Sequence, residues 1–446
     1  MPDYARGYPP TTYEAGTVPI NACGWLPASG PLPAYAALDR DLEADVVVIG
    51  AGLTGAAVAL RLAQRRLPVV LLEAAQPADA ASGRNAGHVL PYLGSLRPLE
   101  GWPDKGARFL EYFIAHRRIV YDLCAEHGID GDAAQVGCLE MAHRPMRQLA
   151  DNAARWKRLG CDVEVVQGTA MEAMTGTPRY QYGLFWRDGG RVNPYLFTQG
   201  LAGAAVKLGA RLFGDSRVVA ATRTGDRWEM RTARGSVRAP RVVICTNGHR
   251  GNVYRPELAA TNYPLTSCGL ATEPLAPEIL ASLNPSRAAL QQVPAGLYPL
   301  VIDGRNRIIT ATIPDARGAA DAGRYFRRLL RYLHRIYPHM RDADIRLQSY
   351  WTGQTHSSST VHHEDYPQLY DLGPGMTGIL NVGTWGNVLG PLIGLNVADA
   401  LAEGRPQDLV LPLESPAPVS SPRAFAFKIR YLLIPLARIL DLAGLV

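Results

Sequence analysis

Asp45-Val46-Val47-Val48-Ile49-Gly50-Ala51-Gly52-Leu53-Thr54-Gly55 is the stretch on which the reading of this chain turns. Val46 to Ile49 is a continuous β-branched run, not an alternating one, which fits a parallel strand buried on both faces. Gly50, Gly52 and Gly55 then fall in G-x-G-x-x-G spacing, which serves a tight turn, close backbone approach to a pyrophosphate and close helix–strand packing. A helix follows, to about Arg66. Its N-terminus offers N–H groups and partial positive charge to phosphate. Pro68-Val69-Val70-Leu71-Leu72 reads as a second strand, and Glu73 closes it 18 residues after Gly55. An acid there suits ribose hydroxyls and disfavours a 2′-phosphate. These residues predict a βαβ unit that binds a dinucleotide.

Around that unit the chain has 446 residues, enough for two or three domains at roughly 100–200 residues each. With 47% hydrophobic and 19% charged residues it is neither disordered nor collagen-like. The longest apolar run, Val46 to Leu60, is interrupted by three glycines and falls short of the ~18 residues of a spanning helix. The net charge of +6 is spread along the chain without a Lys/Arg-rich block, so nucleic acid is not an expected partner. Cys23, Cys124, Cys138, Cys161, Cys245 and Cys268 show no C-x-x-C spacing and no disulfide framework. Free thiols in a reducing compartment fit, and residues 1–20 lack a signal-peptide pattern, so the expected location is cytoplasmic.

The periodicity predicts helices over 105–125, 143–159, 193–208, 321–336 and 389–403. Strands are expected at 161–166, 183–187, 216–222, 227–232, 235–244, 263–273, 297–302, 306–313 and 378–383. Signals for βαβ units at both ends, with antiparallel-type strands between, predict interleaved domains. His356, His362 and His363 are close in sequence, but the intervening Ser-Ser-Ser-Thr run and the lack of a nearby Cys point to a loop, and no metal site is expected.

Ala81-Ser82-Gly83-Arg84-Asn85-Ala86-Gly87-His88 combines small residues, a cation and an amide just after the acid. It resembles the S-G-R-N-G-G-Q loop of the D-amino-acid-oxidase superfamily, in the branch of γ-glutamylputrescine oxidase-like flavoproteins. Further stretches resemble that branch in the same order: Asn193-Pro194-Tyr195 with Leu208-Gly209-Ala210, Pro256-Glu257-Leu258, Ala271-Thr272-Glu273-Pro274-Leu275, and Tyr298-x-Leu300-x-x-Asp303-x-Arg305. Trp351-Thr352-Gly353-Gln354, Asp365-x-Pro367 and Gly383-Thr384-Trp385-Gly386-Asn387 complete the set, which spans about residues 40–405. The chain departs from the pattern at Ala86, His88, Pro299 and Thr310-Ala311, and is longer between Trp351 and Pro367.

The resemblance implies an α/β (α+β overall) fold: a Rossmann-like FAD-binding domain interleaved with a substrate domain on a mixed or antiparallel sheet. It implies an N-terminal arm (1–40), a discontinuous FAD-binding domain (41–95, 188–250 and 348–410), a substrate domain (96–187 and 251–347) and a C-terminal tail (411–446). The cofactor implied is FAD, held non-covalently because no cysteine lies between Cys268 and Val446. Its expected wall is Gly50, Gly52, Leu53, Thr54, Gly55, Glu73, Ala74, the loop Ser82, Gly83, Arg84, Asn85, Ala86, Gly87 and His88, and then Val218, Val219, Thr246, Asn247 and Gly248. Trp351, Gly353, Gly383, Thr384, Trp385, Gly386, Asn387 and Val388 complete it.

The implied reaction is oxidation of a C–N bond in an amine or amino acid by hydride transfer to flavin N5, giving an imine that hydrolyses. His88, Tyr298, Trp351 and Trp385 are the candidate catalytic residues. Asn262 to Gly269 lacks the lysine that related oxidases use for O₂, which leaves O₂ and a quinone both open as acceptor. Residues 428–442 carry Ile429, Leu432, Leu433, Leu436, Ile439 and Leu440 on one helical face. That helix either packs on its own protein or rests on an anionic membrane surface, which would suit a quinone-linked dehydrogenase of amino or cyclic imino acids. A flavin-binding scaffold without catalysis and a flavin module acting beside RNA are the other readings.

Overall fold

The structure, a computed structural model, describes residues 11–13, 16–18, 23–30, 32, 34–247, 253–294, 296–361 and 364–443. Gly248, His362 and His363 lie outside the described residues, as does most of the expected arm before Cys23. Val46–Ile49 is an interior strand of a seven-stranded sheet and is buried at all four positions. Val69–Leu72 pairs with it in parallel on one side, and Arg211–Phe213 lies beyond. Arg241–Ile244, then Met376–Leu380, pair in parallel on the other side. Gln368–Asp371 runs antiparallel next to Met376–Leu380, and Leu413–Glu414 closes that edge. The helix Leu53–Gln64 packs against Pro194–Lys207 and Gly386–Glu403, which cover the sheet.

The second large layer is a sheet of eight strands. Its order is Leu347–Ser357, Tyr263–Thr272, Ile308–Thr312, Leu300–Ile302, Ala289–Gln292, Cys138–Ala142, Tyr182–Trp186 and Val163–Gln167. Neighbours are antiparallel except at one seam, where Ala289–Gln292 runs parallel to Cys138–Ala142 with Gln291 opposite Glu140. Here the two stretches of chain that build this sheet meet. Ala322–Ile336 packs on it through Tyr325, Phe326, Leu329, Tyr332 and Leu333, and Asp321 caps the helix by accepting from the Arg324 N–H at 2.8 Å. Pro194–Lys207 starts in the same way: Asn193 Oδ1 accepts from the N–H groups of Tyr195 and Leu196, and Pro194 needs no partner at the first position.

The mixed α/β class and most elements match the sequence reading. The expected strand 235–244 is two strands in two sheets: Ser236–Ala239 joins a small four-stranded sheet and Arg241–Ile244 the central one. Pro240 between them has no N–H for a ladder, so the chain changes sheets there. The expected helix 105–125 is broken into Ala107–Ala115 and Ile119–His127. His356 lies within the strand Leu347–Ser357, opposite Pro264, and not in a loop. That strand pairs with Tyr263–Thr272 in the large sheet. We propose that the boundary between the cofactor and substrate domains follows the division between the two sheets.

Candidate active site

The C-terminal ends of the central parallel strands open onto two joined recesses, where an open α/β sheet binds its ligand. A narrow one is lined by Gly50, Gly52, Glu73, Ala74, Ser82, Val218, Thr246 and Asn247. A wide one, of about 1110 Å³, shares Gly52, Ser82, Asn247 and Gln354 with it and continues toward the large sheet.

The glycine turn is sterically fixed. Gly50 has φ +99°, and a Cβ there would stand 2.8 Å from the Cys245 carbonyl oxygen. At Gly55 a Cβ would lie 1.9 Å from the Gly50 carbonyl oxygen, so only glycine lets the helix sit this close to the strand. The Ala51 N–H donates to Glu73 Oε2 at 2.7 Å and the Ala75 N–H to Oε1 at 3.0 Å. Burial pushes the Glu73 carboxyl up, and these two N–H groups oppose it. Ser82 Oγ accepts from the Leu53 N–H at 3.0 Å, joining the loop to the helix start.

The loop after Ser82 is held from several sides. The Arg84 guanidinium donates to the carbonyls of Asp79 and Thr352, so its charge is engaged by backbone although it lines the wide recess. Asn85 and Asn387 exchange amide hydrogen bonds at 2.9 Å in both directions, and Asn387 also donates to the His88 carbonyl. The loop is thereby tied to the first residues of Gly386–Glu403. Trp25 and Trp351 donate their indole N–H groups to the carbonyls of Asn85 and Arg84. His88 Nε2 donates to the Leu290 carbonyl at 3.0 Å. Burial lowers its pKa, so the imidazole is neutral and its Nε2 proton is occupied.

Leu53, Thr54, Arg84, Asn85, Ala86, His88, Gly353, Gly383, Thr384, Trp385, Gly386 and Asn387 line the wide recess. Gly83, Gly87 and Val388 are packed beneath it, and Val219 is on the surface. Two candidate catalytic residues stand behind the wall. Trp351 is fully buried under the Arg84 backbone, and Tyr298 stacks on Tyr332 at 4.7 Å in the core of the large sheet.

The recess also brings in residues that were not among the expected site residues, Asp365 from a quoted motif and Glu140 from outside any motif. Asp365 packs against Gly383, accepts from Ser358, and is pushed up to about 7 by burial. Glu140 accepts from the Trp186 indole at 2.8 Å and is likewise pushed up to about 7 by burial, with Trp186 and Tyr92 opposing. A charged residue inside the apolar run Cys138-Leu139-Glu140-Met141-Ala142 is the signal that could have found it. Phe425, Ile429, Leu433, Ile434 and Ala437 of the C-terminal helix form another part of the wall. Arg438 pairs with Asp315 and Arg335 with Asp441, fastening that helix to Ala322–Ile336 and its neighbours.

A parallel sheet with a glycine turn, a closing acid and a second sheet across a shared cavity defines a dinucleotide-dependent enzyme of two interleaved parts. Residues 45–400 match the family model DAO, FAD dependent oxidoreductase, and the chain belongs to that family. Gamma-glutamylputrescine oxidoreductase of Escherichia coli is 27% identical over 323 residues, which cover 71% of this chain and 74% of the relative. The probable oxidoreductase OrdL of Rhizobium meliloti is 27% identical over 413 residues, 88% of this chain and 91% of the relative. Glycine oxidase from Bacillus cereus shares the fold with a TM-score of 0.66 at 19% identity, covering 82% of this chain and 97% of that one. The protein is an FAD-dependent oxidoreductase. The two joined recesses fit FAD: the narrow one has a turn with no room for a Cβ at Gly50 or Gly55, a helix start beside it and an acid closing the second strand, and the wide one continues from it.

Proposed function

We propose that the protein oxidises the C–N bond of an amine or amino acid. The observation that carries this reading is that the likenesses of a chain in this family, gamma-glutamylputrescine oxidoreductase and glycine oxidase, are named for substrates that share an oxidisable carbon bearing nitrogen. Bound FAD would accept a hydride at N5, and the imine left behind would hydrolyse. The chain's own part is positional. In this reading Gly50, Gly52, Glu73 and Ser82 hold the dinucleotide, and the Asn85–Asn387 pair fixes the walls on either side of the ring. His88 and Trp385 border the reacting carbon, while Trp351 acts through the Arg84 backbone. A neutral His88 adds no positive charge beside an amine that must itself be deprotonated to react. FAD is held without a covalent link in this reading, as a member of the FAD-dependent oxidoreductase family with no cysteine in the Trp351–Gly353 stretch.

A second reading concerns the acceptor. The C-terminal helix walls the cavity with one side and exposes Phe427, Tyr431, Leu432, Leu436, Ile439 and Leu442 on the other. Arg423, Lys428 and Arg430 are exposed among them. No helix of the described residues is long and apolar enough to cross a membrane. An apolar stripe edged by cations suits the surface of an anionic bilayer, and a quinone dissolved there is the acceptor that fits.

Anaerobic titration of the FAD-loaded protein with amines and amino acids tests the main reading. Loss of the flavin absorbance band with at least one of them is the expected outcome, and air or a quinone then restores it. A yellow protein that no amine or amino acid bleaches would overturn the assignment.

A further inference from the structure

Glu140 is a buried acid in the wall of a substrate cavity, at the seam where two stretches of chain meet in parallel. Its Oε2 accepts from the Trp186 indole, and no Lys, Arg or His among the described residues pairs with it. Tyr92 stands beside it in the same wall, its ring stacked on Trp186 at 4.4 Å and its hydroxyl donating to Gln291 Oε1 at 3.0 Å. Gln291 lies opposite Glu140 in the strand register, and its neighbour Leu290 accepts the His88 Nε2 proton. The residue that borders the flavin side of the cavity is therefore joined by one strand to this acid.

An acid, an aromatic ring and a carboxamide oxygen grouped without a counter-cation form a site for an ammonium group, through charge and the π face together. The same group repels a carboxylate. The amine that reacts must shed its proton, and a carboxylate beside it would hold that proton on. The cation that Glu140 receives is thus a second one, away from the reacting carbon.

We propose that Glu140, with Tyr92 and Gln291, binds the far ammonium of an α,ω-diamine or longer polyamine whose other end is oxidised. This rests on the amine-oxidation reading and names the substrate class within it. The buried acid supports it further, because a carboxyl pushed up to about 7 loses its proton to solvent readily when a cation arrives beside it.

The test compares unbranched diamines of three to six carbons with 1-aminoalkanes one carbon longer, in which a methyl group replaces the far ammonium. Binding to the FAD-loaded protein is measured by calorimetry, and flavin bleaching is followed separately. At least one diamine is expected to bind roughly thirtyfold more tightly than its monoamine, as for a buried charge pair. Glu140→Gln, which keeps an acceptor for Trp186, is expected to bring that ratio close to one. At pH 7 the wild-type protein should also release up to about half a proton more with the diamine than with the monoamine, a reading that needs no variant.

No diamine preference, an unchanged ratio in Glu140→Gln, or equal proton release would overturn the proposal. A diamine preference in a protein that no amine bleaches would keep the ammonium site and discard amine oxidation. Bleaching by amines with no diamine preference would do the reverse.

Discussion

Asn387 makes three hydrogen bonds from the first turn of a helix, two with Asn85 and one to the His88 carbonyl. These bonds tie the 84–88 loop directly to the 383–387 turn. Asn387→Ala removes all three and leaves Asn85 and the His88 carbonyl to find new partners, at about 1–3 kcal/mol for a buried polar group. The expected result is FAD affinity weakened about tenfold with the fold intact, measured as the dissociation constant from flavin fluorescence. An unchanged constant would show that the pair does not hold the cofactor walls. The sequence singled out Asn387 because it stands in a glycine-flanked turn. It could not reveal that its partner is an asparagine 302 positions earlier.

At the scale of elements, the C-terminal helix lines the cavity with one part and exposes apolar residues with another. Phe425 and Ile434 are buried, whereas Phe427, Ile439 and Leu442 are 64, 63 and 73% exposed. The apolar residues expected on one face are divided, Ile429 and Leu433 lining the cavity while Leu432, Leu436 and Ile439 are exposed, so the hydrophobic period could not say which of them face the protein. The ion pairs Arg438–Asp315 and Arg335–Asp441 make that choice. If the exposed side docks on lipid, the protein should float with phosphatidylglycerol vesicles and not with phosphatidylcholine vesicles. Leu432→Glu with Ile439→Glu should abolish flotation. Equal behaviour on both vesicles would leave the helix as a wall of the cavity alone.

Across the whole molecule, the buried acids set how stability follows pH. Glu140 and Asp365 are each raised to about 7, so the folded protein holds protons that the unfolded chain gives up near pH 4. Stability from these groups is full in acid, falls as pH rises from about 4 to about 7, and is lost above that. Each acid accounts for about 1.4 kcal/mol for every pH unit crossed in that window. Asp315 has the opposite sign. Burial pushes it up, but Arg328, the Arg317 N–H and Arg324 hold it down to about 2, so its contribution is present above pH 4 and disappears as pH falls toward 2. The melting temperature should drop between pH 5 and 7.5, and Glu140→Gln should flatten that slope. A slope unaltered in Glu140→Gln would mean that the acid titrates normally.

Local chemistry accounts for what the sequence determined alone. A β-branched run into Gly50-x-Gly52-x-x-Gly55, with Glu73 at the next strand end, carries its own geometry, because a tight turn and a buried strand are specified by neighbouring residues. The ordered motifs around it placed the chain among FAD-dependent oxidoreductases. Tertiary structure alone decided the rest. Trp351 lies behind the cavity wall because a strand residue's side of the sheet depends on its partners, and Tyr298, expected on a strand, lies just before Leu300–Ile302 and stacks on Tyr332 instead. Glu140 reached the cavity through a parallel pairing with Ala289–Gln292, about 150 residues away, and long-range pairing of that kind leaves no periodic trace in either strand.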